Sequence, residues 1–177
     1  MILGLDIATK TGWAVGLPRS SPIVGTIAVS GTVGQKCVGL FRSLDAIVTE
    51  HEPDLIVFEQ PIHAVPRQGS SITLRLALGL CAVAEMVAAK HAIKVLEVPM
   101  GTWRKHFIGV GRAPAWAGSA TKRRQWLKNM AIQRCRDLKW GDLSDDEAEA
   151  CGVWDYASSL RSAEHATGTV GGMFKAS

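Results

Sequence analysis

Four carboxylates in this 177-residue chain sit where packing gives them no obvious work. Asp6 ends the apolar run "MILGLD", and Glu59 closes a second, "DLIVFE". Asp146 and Glu149 lie in "SDDEAEA", three residues apart and so about 60° apart on one helix face. A buried carboxylate without a partner or a metal is costly. Several converging oxygens suit two Mg²⁺ ions, and such a pair can activate water and stabilise the leaving oxygen in phosphodiester hydrolysis. Acids in a first helical turn also complement the helix dipole, so "SDDEAE" alone has a second reading. Asp145, about one residue's turn away, stays open as an alternative to Glu149, whereas Asp155 points about 180° from Asp146.

The elements that must position these groups follow from pattern. "MILGLDI", "WAVGL" and "IVGTIAVSGTV" read as three strands joined by the turns "ATKTG" and "PRSSP", hence an antiparallel meander. A helix over "GQKCVGLFRSLDAIVTEHEP" is stopped by Pro53, and a strand "DLIVFEQ" follows. After the loop "PIHAVPRQGSS" comes a long helix, "SSITLRLALGLCAVAEMVAAKH", capped by Ser70 or Ser71. Its small residues Ala77, Gly79, Ala82 and Ala84 allow close helix packing. Strand "AIKVLEVP", a short helix "MGTWRKHF" with Thr102 as cap, a Gly/Pro-rich loop and a basic helix "TKRRQWLKNMAIQRCRDL" precede the last helix, capped by Ser144. The order predicts an α/β fold: one five-stranded mixed sheet, its first three strands antiparallel, with helices on both faces. Residues 1–165 read as one domain and 166–177 as a flexible tail.

Composition narrows the function classes. Apolar residues make up 47% and charged residues 20%, which fits a globular domain. The longest apolar stretch is interrupted by Glu85, and the N-terminus has no signal-peptide pattern. No membrane role and a cytoplasmic location are therefore expected. The four cysteines are widely spaced, without zinc-ligand spacing, and read as buried reduced thiols. Net charge is +4, but unevenly spread. From Trp103 to Lys139 there are ten basic residues and one acid, Asp137, a net of +9, and the remainder carries −5. Four of the six tryptophans (103, 116, 126 and 140) lie in or beside that segment, a mixture suited to nucleic acid. Arg104, Lys105, Arg112, Lys122, Arg123 and Arg124 are the DNA-backbone candidates, with Lys105 and Arg112 nearest the carboxylates by chain order. Trp116 in "APAWAGSA" reads equally as a loop anchor or a base-stacking platform.

"ILGLDIATKTGWAV", "DLIVFEQP" and "DDEAEACGVWDYA", in this order, resemble the RuvC family of Holliday junction resolvases, within the RNase H-like nucleases. "SSITLRLALGLCAVAEMVA" and "VPMGTWRKHFIGVGRA" extend the likeness, which covers most of residues 1–160 and is similar to the shorter bacteriophage and prophage type. The resemblance implies that Asp6 contacts both metals, that Glu59 binds one and helps orient water, and that Asp146 and Glu149 complete the site. It implies Mg²⁺, with Mn²⁺ substituting, and symmetric junction cleavage leaving 5′-phosphate and 3′-hydroxyl ends. It also implies a homodimer through the helix at 72–90, since two symmetric strands must be cut. There are two departures. Relatives more often carry Asp where Glu149 stands, and many carry a junction-opening aromatic just after the "EQ", where this chain has Ile62 and His63. Three other readings compete: a nuclease for flap, branched or RNA-containing DNA, a junction-binding protein without activity, and an actin-type ATP-binding domain. The last needs a second domain that 177 residues do not accommodate.

Overall fold

The computed structural model describes residues 1–61 and 71–161. Ile62, His63 and the 166–177 tail lie outside the described residues, as do Ser70 and the expected domain boundary at 165. The chain runs β1 (Ile2–Asp6), β2 (Lys10–Gly16), β3 (Ile23–Ala28), α1 (Val33–His51), β4 (Leu55–Glu59), α2 (Ser71–Lys90), β5 (Lys94–Val98), α3 (Met100–Ile108), α4 (Ala120–Asp137) and α5 (Asp145–Arg161), with a 3-10 turn at Ala115–Ala117. The five strands form one mixed sheet in the order β3-β2-β1-β4-β5. The β1–β2 and β2–β3 pairs are antiparallel, and β1–β4 and β4–β5 are parallel. This is the expected mixed sheet with helices on both faces.

Alternation along the strands divides the core in two. Ile2, Leu55, Val57 and Val98 face a layer made by α3, α4 and α5, filled by Trp103, Phe107 and Trp154. Leu3, Leu5, Ile56 and Phe58 face α1 and α2, against Leu40, Leu44, Leu80, Val83 and Val87. Both β1 and β4 are therefore apolar on two faces, as central strands between helical layers must be.

Some boundaries differ from those read in the sequence. β2 begins at Lys10, inside the expected turn, because Lys10 and Thr11 pair with Ala28 and Ile27 of β3 beyond the end of β1. The buried Thr11 hydroxyl secures that turn, donating to the Ala8 carbonyl at 2.7 Å. β3 stops at Ala28, where the sequence pattern ran on to Val33. Gly31 has φ +93°, and Thr32 with Gln35 then forms a reciprocal cap that starts α1. α3 begins at Met100 with Pro99 at its cap position, so Thr102 lies inside the helix. Ser144 caps α5 as expected: its hydroxyl accepts from the Glu147 N–H at 3.4 Å, and its backbone N–H donates to Glu147 Oε2 at 2.8 Å.

α2 has two characters. Leu80, Val83, Ala84 and Val87 are buried, and a Cβ at Gly79 would meet Cys37 of α1 at 3.6 Å. Ile72, Leu78 and Met86 are exposed on its outer side. By length and composition this helix is apolar enough to cross a bilayer, but its inner face belongs to the core. All four cysteines are free thiols, three of them buried.

Candidate active site

The sheet register brings the first two carboxylates side by side. In the parallel β1–β4 pair Leu5 lies opposite Phe58, so Asp6 and Glu59 are the next residues of adjacent strand ends. Period-two alternation puts Asp6 on the side of Ile2 and Gly4, and Glu59 on the side of Leu55 and Val57. Both therefore face the layer that contains α5.

Glycines let α5 reach them. A Cβ at Gly4 would lie 2.7 Å from Trp154, and one at Gly12 would overlap the Asp146 carbonyl oxygen. Only a bare backbone permits the first turn of α5 to rest on β2 at this point. Gly12 is also the pairing partner of Asp6 across β1–β2. The close approach thus sets Asp146 beside Asp6, and Glu149 follows on the same side of α5.

The electrostatics record the convergence. Burial, then the negative charges of Glu149, Glu59 and Asp146, push the Asp6 carboxyl up to about 8, against the opposing pull of Lys128. Glu59 is also raised, chiefly by burial, although a hydrogen bond from Trp103 and the charge of Arg104 counter the shift. All four carboxylates singled out in the sequence are thus within electrostatic reach of one another.

Each outer acid holds a cation from the protein itself. Lys10 Nζ lies 2.7 Å from Asp146 Oδ2, and Arg104 Nη2 lies 2.6 Å from the buried Glu149 Oε1. Lys128 Nζ donates to Asp145 Oδ2 at 2.6 Å and stands 4.0 Å from Glu149 Oε2. The hydrogen bond from Lys128 holds Asp145 below the usual carboxylate range. Trp103 Nε1 donates to Glu59 Oε2 at 3.0 Å, and the Arg104 guanidinium lies over the Trp103 ring at 5.0 Å. Among the described residues no three carboxylate, imidazole or thiol groups stand close enough together to form a ready ligand cage.

The donor set nevertheless fits hard divalent cations. It consists of carboxylate oxygens, the ligands Mg²⁺ prefers. Five acids, counting Asp145, share three basic partners, and this excess of acid over base, on top of burial, is what raises the Asp6 carboxyl. A cation at Asp6 would relieve that excess.

Lys10, Lys128 and Trp103 were not among the residues singled out for the site. Their partners lie on other elements, 44 residues away for Trp103 and Glu59, so no local spacing marks them. Arg104, read as a DNA-backbone candidate, is instead half-buried against Glu149. Lys105, Arg112, Lys122, Arg123 and Arg124 are exposed. Asp155 points away from the site as expected, with its Oδ2 2.8 Å from His106 Nε2. A cleft of about 280 Å³ opens beside Asp6 and Glu59, walled by Leu74, Ala77 and Cys81 of α2.

No protein-family model matches the sequence, and no curated protein matches it. Solved structures do match. Thermus thermophilus RuvC superposes with a TM-score of 0.63 at 11% identity, over 90% of this chain and 95% of that one. The same T. thermophilus protein in complex with a Holliday junction substrate gives 0.64 at 11% identity, over 90% and 94%. The yeast mitochondrial Holliday junction resolvase Ydc2 gives 0.48 at 11% identity, over 86% and 75%. The two RuvC superpositions show that the chain has the RuvC-like, RNase H-like fold.

Proposed function

We propose that this chain is a metal-dependent, structure-specific endonuclease that cuts four-way DNA junctions by phosphodiester hydrolysis. One observation carries the reading: β1, β4 and α5 bring Asp6, Glu59, Asp146 and Glu149 within electrostatic reach, and the Asp6 carboxyl is raised first by its burial and then by the charges of the other three. A protein that only bound DNA would gain nothing from acids that repel phosphate. The T. thermophilus RuvC of similar fold has been captured with a Holliday junction substrate, which supports branched DNA as the ligand.

In this reading Asp6, Glu59, Asp146 and Glu149 hold two Mg²⁺ ions, with Mn²⁺ an acceptable substitute. Bound there, such ions supply a low-pKa water and a countercharge for the leaving oxygen. Water oxygen bonds to phosphorus, the bond to the 3′-oxygen breaks, and the products carry a 5′-phosphate and a 3′-hydroxyl. Asp6, at the end of β1 beside Glu59, would be the central residue holding the ions. Glu59, fixed in orientation by the Trp103 indole, would bind one ion and help orient the attacking water. Lys10, Lys128 and Arg104 hold the outer acids in place before metal enters. Lys105, Arg112, Lys122, Arg123 and Arg124 then take the DNA backbone.

Two cuts on symmetric strands call for two sites, and we infer a two-fold dimer. The exposed Ile72, Leu78 and Met86 on α2 support that helix as the interface. Sedimentation of wild type and of Met86→Glu checks it: the variant is expected to be monomeric, and an unchanged dimer would remove α2 from the interface.

The substrate test uses end-labelled four-way junctions, flaps and linear duplex, each with Mg²⁺ and with EDTA. Paired nicks confined to the junction and abolished by EDTA are expected. Equal cutting of flaps or duplex would keep the metal site and withdraw the junction assignment.

A further inference from the structure

Trp116 is 75% exposed, more than any other large apolar side chain among the described residues. An indole that exposed is not anchoring its loop by burial. It is nevertheless held. Its ring meets Trp126 of α4 in a T-shaped pair, centroids 5.8 Å apart and planes at 85°. Arg123 Nη2 donates to the Ala115 carbonyl at 3.3 Å, tying the 3-10 turn to α4. Gly118, at φ +89°, turns the chain into the helix, where the Ser119 side chain accepts from the Lys122 N–H at 3.4 Å. The indole is thus presented to solvent by a built corner.

The surroundings are basic. Arg112, Lys122, Arg123 and Arg124 are exposed, and the chain carries no acid from Arg104 to Arg136. A flat aromatic face among cations matches a nucleotide: a base for the ring and phosphates for the charges. In a duplex each base face is covered by its neighbours in the stack, so only an unpaired base offers a face to the indole.

We propose that Trp116 is a stacking platform for an unpaired nucleobase, with Lys122 and Arg123 taking the adjoining phosphates. The proposal rests on the nucleic-acid reading above but not on the carboxylates. At about 100° per residue, Trp126 lies some 160° around α4 from Lys128, the residue that meets Asp145. With the helix about 10 Å across, the platform lies on the far side of α4 from the carboxylates. The stacked base is therefore not the one beside the scissile phosphate, and its role is to choose strands opened at a branch.

The experiment titrates the full chain with fluorescein-labelled oligo-dT and with a matched blunt duplex, over a range of salt. Wild type, Trp116→Ala and Trp116→Phe are compared. Trp116→Ala is expected to lose roughly tenfold to a hundredfold on oligo-dT, Trp116→Phe to keep most of the affinity, and duplex binding to change by less than about twofold. The slope of affinity against salt should be the same for all three, because no charge is removed. Oligo-dT affinity unchanged in Trp116→Ala, or an equal loss on duplex, would overturn the proposal while leaving the junction nuclease standing. Self-association that disappears in Trp116→Ala, with oligo-dT binding unmoved, would also overturn it and reassign the corner to a second copy. A wild type that binds neither oligo-dT nor duplex would overturn it together with the nucleic-acid reading beneath it.

Discussion

Asp6 is placed where its own charge is unwelcome, and that has a measurable consequence for stability. Its carboxyl is raised from an ordinary 3.8 to about 8, first by burial and then by Glu149, Glu59 and Asp146. A raised folded-state pKa means that the stabilising contribution is complete below about 3.8 and is lost as pH climbs through 8. Metal-free Asp6→Asn should therefore melt above wild type at pH 8.5, by an amount worth a few kcal/mol, with the gap closing toward pH 4. Thermal denaturation in EDTA across that range checks it, and a gap independent of pH would remove Asp6 from the charged cluster. Divalent cations should raise the melting temperature of wild type far more than that of the variant. Trp103 makes the complementary case. Trp103→Phe keeps a ring in the core but deletes the N–H that orients Glu59. Partners of metal ligands are worth about tenfold to a hundredfold in metal affinity. Mn²⁺ titration by calorimetry should show a loss near the lower end of that range, and unchanged affinity would make Trp103 a packing residue alone.

The elements carry the site through two bare backbone positions, Gly4 and Gly12, on which α5 rests. Gly12→Ala would drive a methyl group into the Asp146 carbonyl and lever the first turn of α5 off the sheet. Overpacking of this kind costs about 1–3 kcal/mol, and cleavage should fall further than stability because Asp146 moves with the helix. Gly34→Ala is the control: nothing lies within 4 Å of the new Cβ, and its helical position should make it neutral or slightly stabilising. Urea melts and cleavage rates of the pair separate the outcomes, and a fully active Gly12→Ala would contradict this placement of α5. At this scale the sequence was informative where signals are local. The apolar runs of β1 and β4, the Ser144 cap and the shared face of Asp146 and Glu149 all depend on near neighbours. What it left open depends on pairing at a distance. Lys10 and Thr11 become strand only because β3 outruns β1, and Thr102 yields the cap position to Pro99 where β5 leads directly into α3. Lys128 meets Asp145 only once α4 packs on α5.

Across the whole molecule, charge is divided in a way the sequence already displayed. The carboxylates gather at one end of the central strands, and the basic segment supplies α3, the loop and α4. Even so, the unit is not a uniform basic face. Arg104 and Lys128 turn inward to the acids, and Lys105, Arg112, Lys122, Arg123 and Arg124 remain outward. Salt dependence distinguishes the two groups. Each duplex phosphate that a variant no longer neutralises should lower the slope of log affinity against log salt by about 0.9. Arg123→Ala with Arg124→Ala is thus expected to reduce it by nearly two, and an unchanged slope would take α4 off the DNA surface.

In the proposed function Asp6 anchors a metal-dependent nuclease site, and DNA is held by other residues. The most direct measurement compares wild type and Asp6→Asn on one labelled four-way junction in Mg²⁺, scoring binding and nicking on the same samples. Junction binding equal to or tighter than wild type is expected, since one negative charge near the phosphate is gone, with nicking abolished. Robust Mg²⁺-dependent nicking by Asp6→Asn would contradict this role of Asp6.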